Sequence, residues 1–291
     1  MDKAVLCSVD GHSRVEVFLL GATLTSWVCA GEERIFLSPN AVFNVGKPIR
    51  GGIPIVFPQF GQPNTAMAQH GFARTSLWSW ECGCAQAEPG SGVLILRLGS
   101  SAETLALWPH AFSLTYTVTL TATSLKCEFS VENPASASDA FKCQALLHTY
   151  IRLPSRDITR LTARGFQARH FIDKMVAGET FQDEREEANV DREVDRIYLG
   201  QAAQPFPDIE LREVGQTFLV VAQSARRGSD AIPIDIVFWN AWINKSRAIP
   251  DLGEDQYKGY VCVEPGLVAE GVRVDPGCVV SIDTTLTAVS R

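Results

Sequence analysis

The sequence has no long apolar run and no surplus of basic residues. None of its apolar stretches approaches the ~20 residues that a membrane-spanning helix needs. Its 26 lysines and arginines are outnumbered by 33 acidic residues, which leaves a net charge of −7. That balance argues against binding to nucleic acid or to other polyanions. Because the first residues carry charges and lack the apolar core of a secretory signal, we expect a cytoplasmic protein without a membrane or nucleic-acid partner.

Paired cysteine motifs are also scarce. The chain has eight cysteines, but only Cys82 and Cys84 lie close together in sequence. No second pair is near enough to complete a zinc site. In a chain of 291 residues without a secretory signal, we expect thiols that are reduced and mostly buried. The cysteine pattern therefore predicts neither a metal site nor a disulfide framework.

Helical periodicity is rare, whereas the polar and apolar alternation typical of strands is frequent. The alternation is clearest in Ser113–Leu120 and Leu125–Val131, which we predict to form a hairpin. Other predicted strands are Arg14–Leu20, Ala22–Val28, Gly92–Leu98, Cys143–Tyr150, Phe218–Ala222, Ile234–Trp239, Tyr260–Glu264 and Val279–Asp283. Strands at such frequent intervals indicate an all-β, mostly antiparallel protein.

One strongly polar stretch, Gln182–Arg196, interrupts this pattern and is expected to be a solvated loop or a short helix. It is too short to join independent domains, and no Ser-, Gly- or Pro-rich tract divides the chain elsewhere. We therefore predict that residues 1–291 form a single domain, built as one large β-sandwich.

The segment Pro48–Arg74 is the most distinctive part of the chain. Its prolines and glycines surround a short apolar run, Ile53–Phe57, so it cannot be an ordinary helix or central strand. A long irregular loop with an apolar anchor is typical of binding loops. Arg50, His70 and Arg74 within it indicate that anion recognition and proton transfer could occur together.

Histidines are few, five in all, and two of them deserve comparison. His148 is predicted on a strand, where Leu146 and Tyr150 share its face. From position alone it is either a core histidine or an acid–base group. His70 lies in a glycine-rich loop, where a purely structural role is less needed.

Glu264 is the carboxylate that stands out, because it ends an apolar run and precedes Pro265. A partly desolvated carboxylate has a raised pKa and could act as a general base near neutral pH. Alternatively, Glu264 could be a structural residue at the rim, where a strand ends. The sequence leaves both interpretations equally open. Trp239 and Trp242 end another predicted strand, and exposed indoles there could stack on sugar rings, although a core role is open too.

Seven short motifs together resemble the aldose 1-epimerase (galactose mutarotase) superfamily, and within it the hexose-6-phosphate mutarotase branch. They occur in the expected order and span roughly residues 45 to 266. The motifs are Arg50–Pro54, Phe57–Gly61, Gln69–Arg74, Leu147–Tyr150, Asp195–Tyr198, Val237–Asn240 and Cys262–Gly266. The resemblance implies a β-supersandwich fold, in agreement with the independent strand prediction.

The resemblance also implies an isomerase that interconverts the α and β anomers of hexose 6-phosphates without a cofactor or metal. Glu264 would be the base at O1 and His148 the acid at the ring oxygen. His70 would hydrogen-bond the sugar near the reacting centre, and Asp195 would bind ring hydroxyls. Trp239 is also expected to contact the substrate.

A phosphate ligand is suggested by Arg50 and Arg74, whose planar guanidinium groups suit a 6-phosphate. Gln59 and Gln69 are expected to hydrogen-bond the phosphate or a hydroxyl. Lys245 could add a third positive charge. We expect the chain to act as a monomer on a small-molecule substrate, and the sequence does not say which hexose phosphate it prefers.

Two other functions stay open at this stage. The chain could be an aldose 1-epimerase acting on unphosphorylated sugars, or a non-catalytic module that binds sugar phosphates. A glycosidase or lyase is less favoured, because typical hydrolases need a second carboxylate flanking the bond and no second acid has a setting like that of Glu264.

Overall fold

Antiparallel strands dominate the computed structural model, which describes residues 2–81 and 92–289. Cys82 and Cys84, which are close together in the sequence, lie outside the described residues. Numbered along the chain, the strands are β1 Lys3–Cys7, β2 Ser13–Phe18, β3 Leu24–Cys29, β4 Glu32–Glu33, β5 Ile55–Val56, β6 Ser79–Trp80, β7 Gly92–Gly99, β8 Ser113–Leu120, β9 Ser124–Glu132, β10 Phe141–Leu147, β11 Tyr150–Arg152, β12 Leu161–Arg164, β13 His170–Asp173, β14 Glu179–Gln182, β15 Ala188–Asn189, β16 Val194–Tyr198, β17 Ile209–Glu213, β18 Gln216–Arg227, β19 Asp230–Ile232, β20 Asp235–Asn240, β21 Tyr260–Val274 and β22 Val279–Ala288.

These strands form three sheets. The N-terminal sheet has the order β1-β2-β3-β4. An eight-stranded sheet has the order β14-β13-β16-β20-β21-β10-β5, with β11 paired to β21. A ten-stranded sheet has the order β15-β12-β17-β18-β22-β9-β8-β7-β6, with β19 paired to β18. The prediction of an all-β, antiparallel fold is confirmed.

The two larger sheets enclose the main core between them. Tyr116 of the ten-stranded sheet and Phe238 and Val263 of the eight-stranded sheet belong to one buried apolar cluster. Trp239 and Cys262, which adjoin the last two residues in sequence, belong to a second and smaller cluster. Successive strand residues point to opposite faces of a sheet. The smaller cluster therefore lies on the face of the eight-stranded sheet that is turned away from the main core.

The predicted hairpin is confirmed, since β8 and β9 pair directly from Ser113 opposite Glu132 to Leu120 opposite Leu125. The prediction for Gln182–Arg196 was wrong in part. This stretch includes all of β15 and the start of β16, each of which pairs with a neighbouring strand. Its charged residues hid the two strands, because β15 is a short edge strand that needs few apolar residues and the part of β16 in this stretch contains the charged Asp195 and Arg196.

Two predicted strands end at different places from those expected. The strand predicted at Cys143–Tyr150 is interrupted at His148, which lies between β10 and β11. The strand predicted to end at Glu264 continues to Val274, so Glu264 lies within β21 rather than at a break. Pro265 was misleading, because a strand can contain a proline wherever its nitrogen need not donate to the ladder.

Helices are short in the described part of the chain. The two α-helices are α1 Ala102–Leu107 and α2 Trp242–Ala248, and the 3₁₀ helices are Ala73–Thr75, Ile158–Arg160 and Gln256–Gly259. Within residues 2–81 and 92–289, no helix has the length and apolar character that crossing a membrane requires. The six described cysteines are free thiols, as expected.

Candidate active site

A cavity of about 210 Å³ opens on the outer face of the eight-stranded sheet. Its floor is set by strand register. Asp195 on β16 is opposite Trp239 on β20, and Val237 on β20 is opposite Glu264 on β21. Residues that are opposite each other, or two apart on one strand, share a face. The sheet therefore presents Asp195, Trp239 and Glu264 to the same cavity.

The break between β10 and β11 brings His148 into this cavity. Its backbone N–H donates to the Pro54 carbonyl over 3.0 Å. Its ring stacks on Tyr150, with 4.7 Å between centroids and an interplanar angle of 6°. The Trp239 ring stands perpendicular to it at 5.7 Å. These contacts fix the orientation of an imidazole that is only 8% exposed.

His148 and Glu264 form a buried acid–base pair. Nδ1 of His148 lies 3.3 Å from Oε1 of Glu264, close enough for an ion pair but not aligned as a hydrogen bond. Burial, reinforced by the Asp195 carboxylate, raises the pKa of Glu264 well above its usual range, although Lys174 and Arg74 oppose this effect. Burial and the nearby His70, Arg74 and Arg50 lower the pKa of His148. Both groups therefore favour their neutral forms.

The tautomer of His70 follows from its loop contacts. Its Nδ1 accepts a hydrogen bond from the Gly61 N–H over 3.2 Å, so the ring hydrogen must be on Nε2. Burial, together with the positive charges of Arg74, Lys174 and Arg50, lowers the pKa of His70 to about 2. His70 is thus a neutral ring whose remaining nitrogen is a hydrogen-bond donor. Its ring is 5.9 Å from that of His148, edge to face.

The loop that carries His70 depends on a close approach at Gly71. Gly71 has φ +74°, and a Cβ there would lie 2.0 Å from the Phe57 carbonyl oxygen. We expect Gly71→Ala to displace His70 and to lower the mutarotase activity that the sequence resemblance implies by at least about tenfold, because an ångström-scale misplacement can cost this much or more. Anomer exchange followed by NMR measures the effect.

Gly61→Ala is the matched control, since Gly61 lies in the same loop at φ +69° and a Cβ there meets none of the described atoms within 4 Å. It bears the strain of a left-handed residue, roughly 1–2 kcal/mol, without the clash. Equal activity losses in the two variants would show that backbone strain, and not the close approach, explains the result.

Two arginines lie at the edge of the cavity. Arg74, on the 3₁₀ helix Ala73–Thr75, is 7% exposed and donates from Nη2 to the Gln69 carbonyl over 2.7 Å. Within the described residues its Nε has no hydrogen-bond partner. Arg50 donates from Nε to Asp251 over 3.1 Å. Burial and the charge of Arg50 lower the pKa of Arg74 to about 10, so a bound anion would relieve the repulsion between the two guanidinium groups.

An ion pair between Lys174 and Asp195 forms another wall. Nζ of Lys174 lies 3.1 Å from Oδ2 of Asp195 and 5.0 Å from the centroid of the Phe60 ring. The Lys174 N–H also donates to the Asp195 carbonyl over 2.9 Å. The Asp195 carboxylate that lines the cavity is therefore paired with the ammonium group of Lys174.

The family model of aldose 1-epimerase matches residues 4–287, which is nearly the whole chain. The chain belongs to the aldose 1-epimerase family. It is therefore an enzyme of an isomerase family, and the resemblance drawn from seven short motifs is confirmed. The sandwich formed by its two large sheets is the galactose mutarotase-like fold.

Curated relatives carry a more specific name. A protein of Cenchrus ciliaris called "Putative glucose-6-phosphate 1-epimerase" is 34% identical over 269 residues, covering 90% of this chain and 77% of its own. A protein of Escherichia coli K12 with the same name is 32% identical over 281 residues, covering 94% and 87%.

Solved structures share the fold along the whole chain. The structure of a "putative mutarotase (YeaD)" from Salmonella typhimurium has a TM-score of 0.80 and 26% identity, and it covers 100% of this chain and 92% of its own. A galactose 1-epimerase from Lactobacillus acidophilus has a TM-score of 0.68 at 14% identity, with both chains fully covered. The second likeness concerns the fold alone.

This aldose 1-epimerase family member gathers most of its predicted site residues around one cavity. Those that line it are Arg50, Gln69, His70, Arg74, His148, Asp195, Trp239, Lys245 and Glu264. Gln59 does not line the cavity. Its side chain bonds to the backbone of Asn64 and Ala68 in its own loop, so its predicted contact with substrate is not supported by its position. Its amide is used to hold the loop together.

Among the polar residues that line the cavity, sequence reasoning missed two, Lys174 and Tyr150. Lys174 follows β13 in a polar stretch, and its pairing with Asp195 depends on the position of β13 beside β16. Tyr150 was read only as a neighbour of His148 on a strand. A stronger weight on the alternation His148–Tyr150 could have suggested that both rings face one site, but nothing in the sequence singles out Lys174.

Proposed function

We propose that this protein is a mutarotase that interconverts the α and β anomers of hexose 6-phosphates, with glucose 6-phosphate as its substrate. The observation that carries the proposal is the coexistence, in one cavity, of a buried carboxylate–imidazole pair and two arginines. The names of the curated relatives support the same substrate. A cavity of about 210 Å³ is also of a size suited to a single small sugar rather than a polysaccharide.

Mutarotation needs one base and one acid. Glu264 takes the proton from the O1 hydroxyl while His148 gives a proton to the ring oxygen, and the bond between C1 and the ring oxygen breaks. The open aldehyde rotates about its bond to C2, and the same steps run in reverse on the other face. His70 donates a hydrogen bond from Nε2 to a sugar oxygen near the reacting carbon. Asp195 accepts hydrogen bonds from ring hydroxyls.

The phosphate has two roles in this proposal. Arg50 and Arg74 hold it through charge-assisted hydrogen bonds, and Gln69 and Lys245 lie nearby on the wall of the cavity. Its negative charge also offsets the two arginine charges that lower the pKa of His148. The pKa of His148 should therefore rise when substrate binds, which favours the protonated imidazole that the reaction requires.

The direct test is anomer exchange measured by NMR. The purified protein should accelerate α–β exchange of glucose 6-phosphate far above its spontaneous rate, and that of glucose much less. Equal acceleration of both sugars would favour an aldose 1-epimerase for free sugars. Binding of glucose 6-phosphate without any acceleration would favour a non-catalytic sugar-phosphate module.

Lys174 is expected to limit the rise in the pKa of Glu264 and so to favour the ionised form of the base. It is a nearby cation that lowers the pKa of Glu264 and that does not need to bind the phosphate. In Lys174→Met the pKa of Glu264 should rise, so the acid limb of the pH profile of kcat/KM should move to higher pH. Lys174→Arg should restore the wild-type profile. An increase in KM for glucose 6-phosphate with an unmoved pH profile would instead assign Lys174 to phosphate binding.

We further propose that residues 1–291 form one domain that acts as a monomer in the cytoplasm. Support comes from the family match over residues 4–287 and from a cavity built by one chain. Size-exclusion chromatography with light scattering tests the monomer. A single cooperative transition in denaturant tests the single domain.

A further inference from the structure

A thiol lies behind the acid–base pair. A ring nitrogen of His148, Sγ of Cys262 and a carboxylate oxygen of Glu264 all lie within 4.8 Å of one another, and all three residues are buried. Cys262 and Glu264 are two positions apart on β21 and therefore share the face that bears the cavity. Cys262 itself has no exposed surface and does not line the cavity.

Two of the donor atoms in this triad are unsatisfied. Within the described residues, Nδ1 of His148 and Oε2 of Glu264 have no hydrogen-bond partner. Buried polar atoms without partners are costly and point to a missing ligand. A proton, a sugar hydroxyl or a cation could each satisfy them.

The chemistry of the donors decides among cations. One imidazole nitrogen, one sulfur and one carboxylate oxygen are the ligand types that Zn²⁺ and similar thiophilic ions take. Magnesium and calcium prefer sets made of oxygen alone. Three protein ligands with the fourth position open to a cavity also match the usual pattern of an accessible zinc site.

We propose that His148, Cys262 and Glu264 form a binding site for a thiophilic divalent cation such as zinc, and that the bound ion inhibits the enzyme. The inhibitory effect rests on the proposed function, because the ion would occupy the lone pairs that the acid and the base need. The ion would enter through the same cavity as the sugar. Zinc and substrate should therefore compete.

The geometry requires a small adjustment. Ligands at about 2.0–2.3 Å from a tetrahedral ion are roughly 3.3–3.8 Å apart. The nitrogen of His148 and the oxygen of Glu264 already meet this spacing at 3.3 Å. The sulfur lies within 4.8 Å of a donor atom of each partner, so it must approach by at most about an ångström.

The charges around the site bear on metal binding. The charged and titratable groups that face it are Arg50, His70, Arg74, Tyr150, Lys174, Asp195 and Lys245. The excess of cations among them opposes a bare metal ion. Binding therefore requires the thiol proton of Cys262 and the carboxyl proton of Glu264 to pass to solvent, leaving two anionic ligands that offset the charge of the ion.

Cobalt(II) is the spectroscopic probe for the site, with the metal-free, full-length protein. Wild type should show a thiolate-to-cobalt charge-transfer band in the near ultraviolet that zinc abolishes. In Cys262→Ala the charge-transfer band should be weaker, because the Cys262 thiolate no longer contributes to it. Cys143→Ala is the matched control, because Cys143 is also a buried thiol in a strand of the same sheet, and it should keep the band. Should Cys262→Ala fold poorly, Cys262→Ser supplies the same comparison.

Inhibition of anomer exchange is the second measurement. Cys262→Ala should keep the basal rate, while the zinc concentration for half-inhibition should increase at least about tenfold, since even loss of an outer partner costs this much in metal affinity. The proposal is overturned if wild type gives no thiolate–cobalt band, or if band and inhibition persist unchanged in Cys262→Ala. A cobalt band in a protein that does not exchange anomers would overturn the proposed function alone.

Discussion

Glu264→Gln is expected to lower kcat/KM for anomer exchange of glucose 6-phosphate by about 10²- to 10⁴-fold, the usual contribution of a general base. Glutamine has nearly the same shape but cannot accept the O1 proton. Its amide can still hydrogen-bond the sugar, so binding of glucose 6-phosphate should be retained. NMR exchange spectroscopy measures the rate, and calorimetry measures the binding.

Glu213→Gln is the control for loss of a buried carboxylate. Glu213 ends β17 of the ten-stranded sheet, away from the cavity, is 6% exposed and accepts hydrogen bonds from Ser155. This variant can lose stability but should keep its activity while folded. If Glu264→Gln exchanged anomers at the wild-type rate, Glu264 would not be the base. A wild-type protein that binds the sugar phosphate but never accelerates exchange would instead indicate a binding module.

Arg74→Met is expected to produce the largest change in substrate preference. Charge-assisted hydrogen bonds contribute about 1.5–3 kcal/mol, so kcat/KM for glucose 6-phosphate should fall by about 10- to 150-fold. The slow exchange of glucose should change little, since free glucose has no phosphate for Arg74 to hold. The ratio of the two kcat/KM values is therefore the quantity to measure. Arg50→Met should act in the same direction.

Arg34→Met is a closely matched control for Arg74→Met. Arg34 is also 7% exposed, and its Nε also lacks a hydrogen-bond partner among the described residues. It pairs with Glu32 outside the cavity. Both variants bury a methionine in place of a guanidinium group, but only Arg74→Met should alter the preference for phosphate. An unchanged preference in Arg74→Met and Arg50→Met would remove the support for a phosphate site.

Local sequence patterns predicted much of the fold. Alternation in Ser113–Leu120 placed β8 and β9 correctly, because a strand with one buried face must alternate. The same reasoning failed for Glu264, which was expected at a strand end and lies within β21. Pro265 looked like a terminator, but what a strand tolerates depends on which neighbouring strands need its N–H groups. The pairing of strands in the sheet determines which N–H groups are needed, so the segment alone does not show it.

The residues of the candidate site were likewise predicted only in part. Arg50, His70, Arg74, His148 and Glu264 could be singled out because unusual residue types occur in a glycine-rich loop or beside apolar strands. Gln59 was included for the same reason, yet its amide is taken up by its own loop. Spacing along the chain could not have shown that the Gln59 side chain bonds within its own loop, or that Lys174 pairs with Asp195 in the cavity.

The sequence by itself determined the class of fold, the binding loop and the chemical types in the site, since all of these follow from residue patterns over short stretches. Only the tertiary structure decided which groups meet. It placed the His148 imidazole 3.3 Å from the Glu264 carboxylate, paired Lys174 with Asp195, and put the Cys262 thiol behind them. The physical reason is that burial and charge act over distances in space, and strand pairing joins residues that are more than a hundred positions apart in the chain.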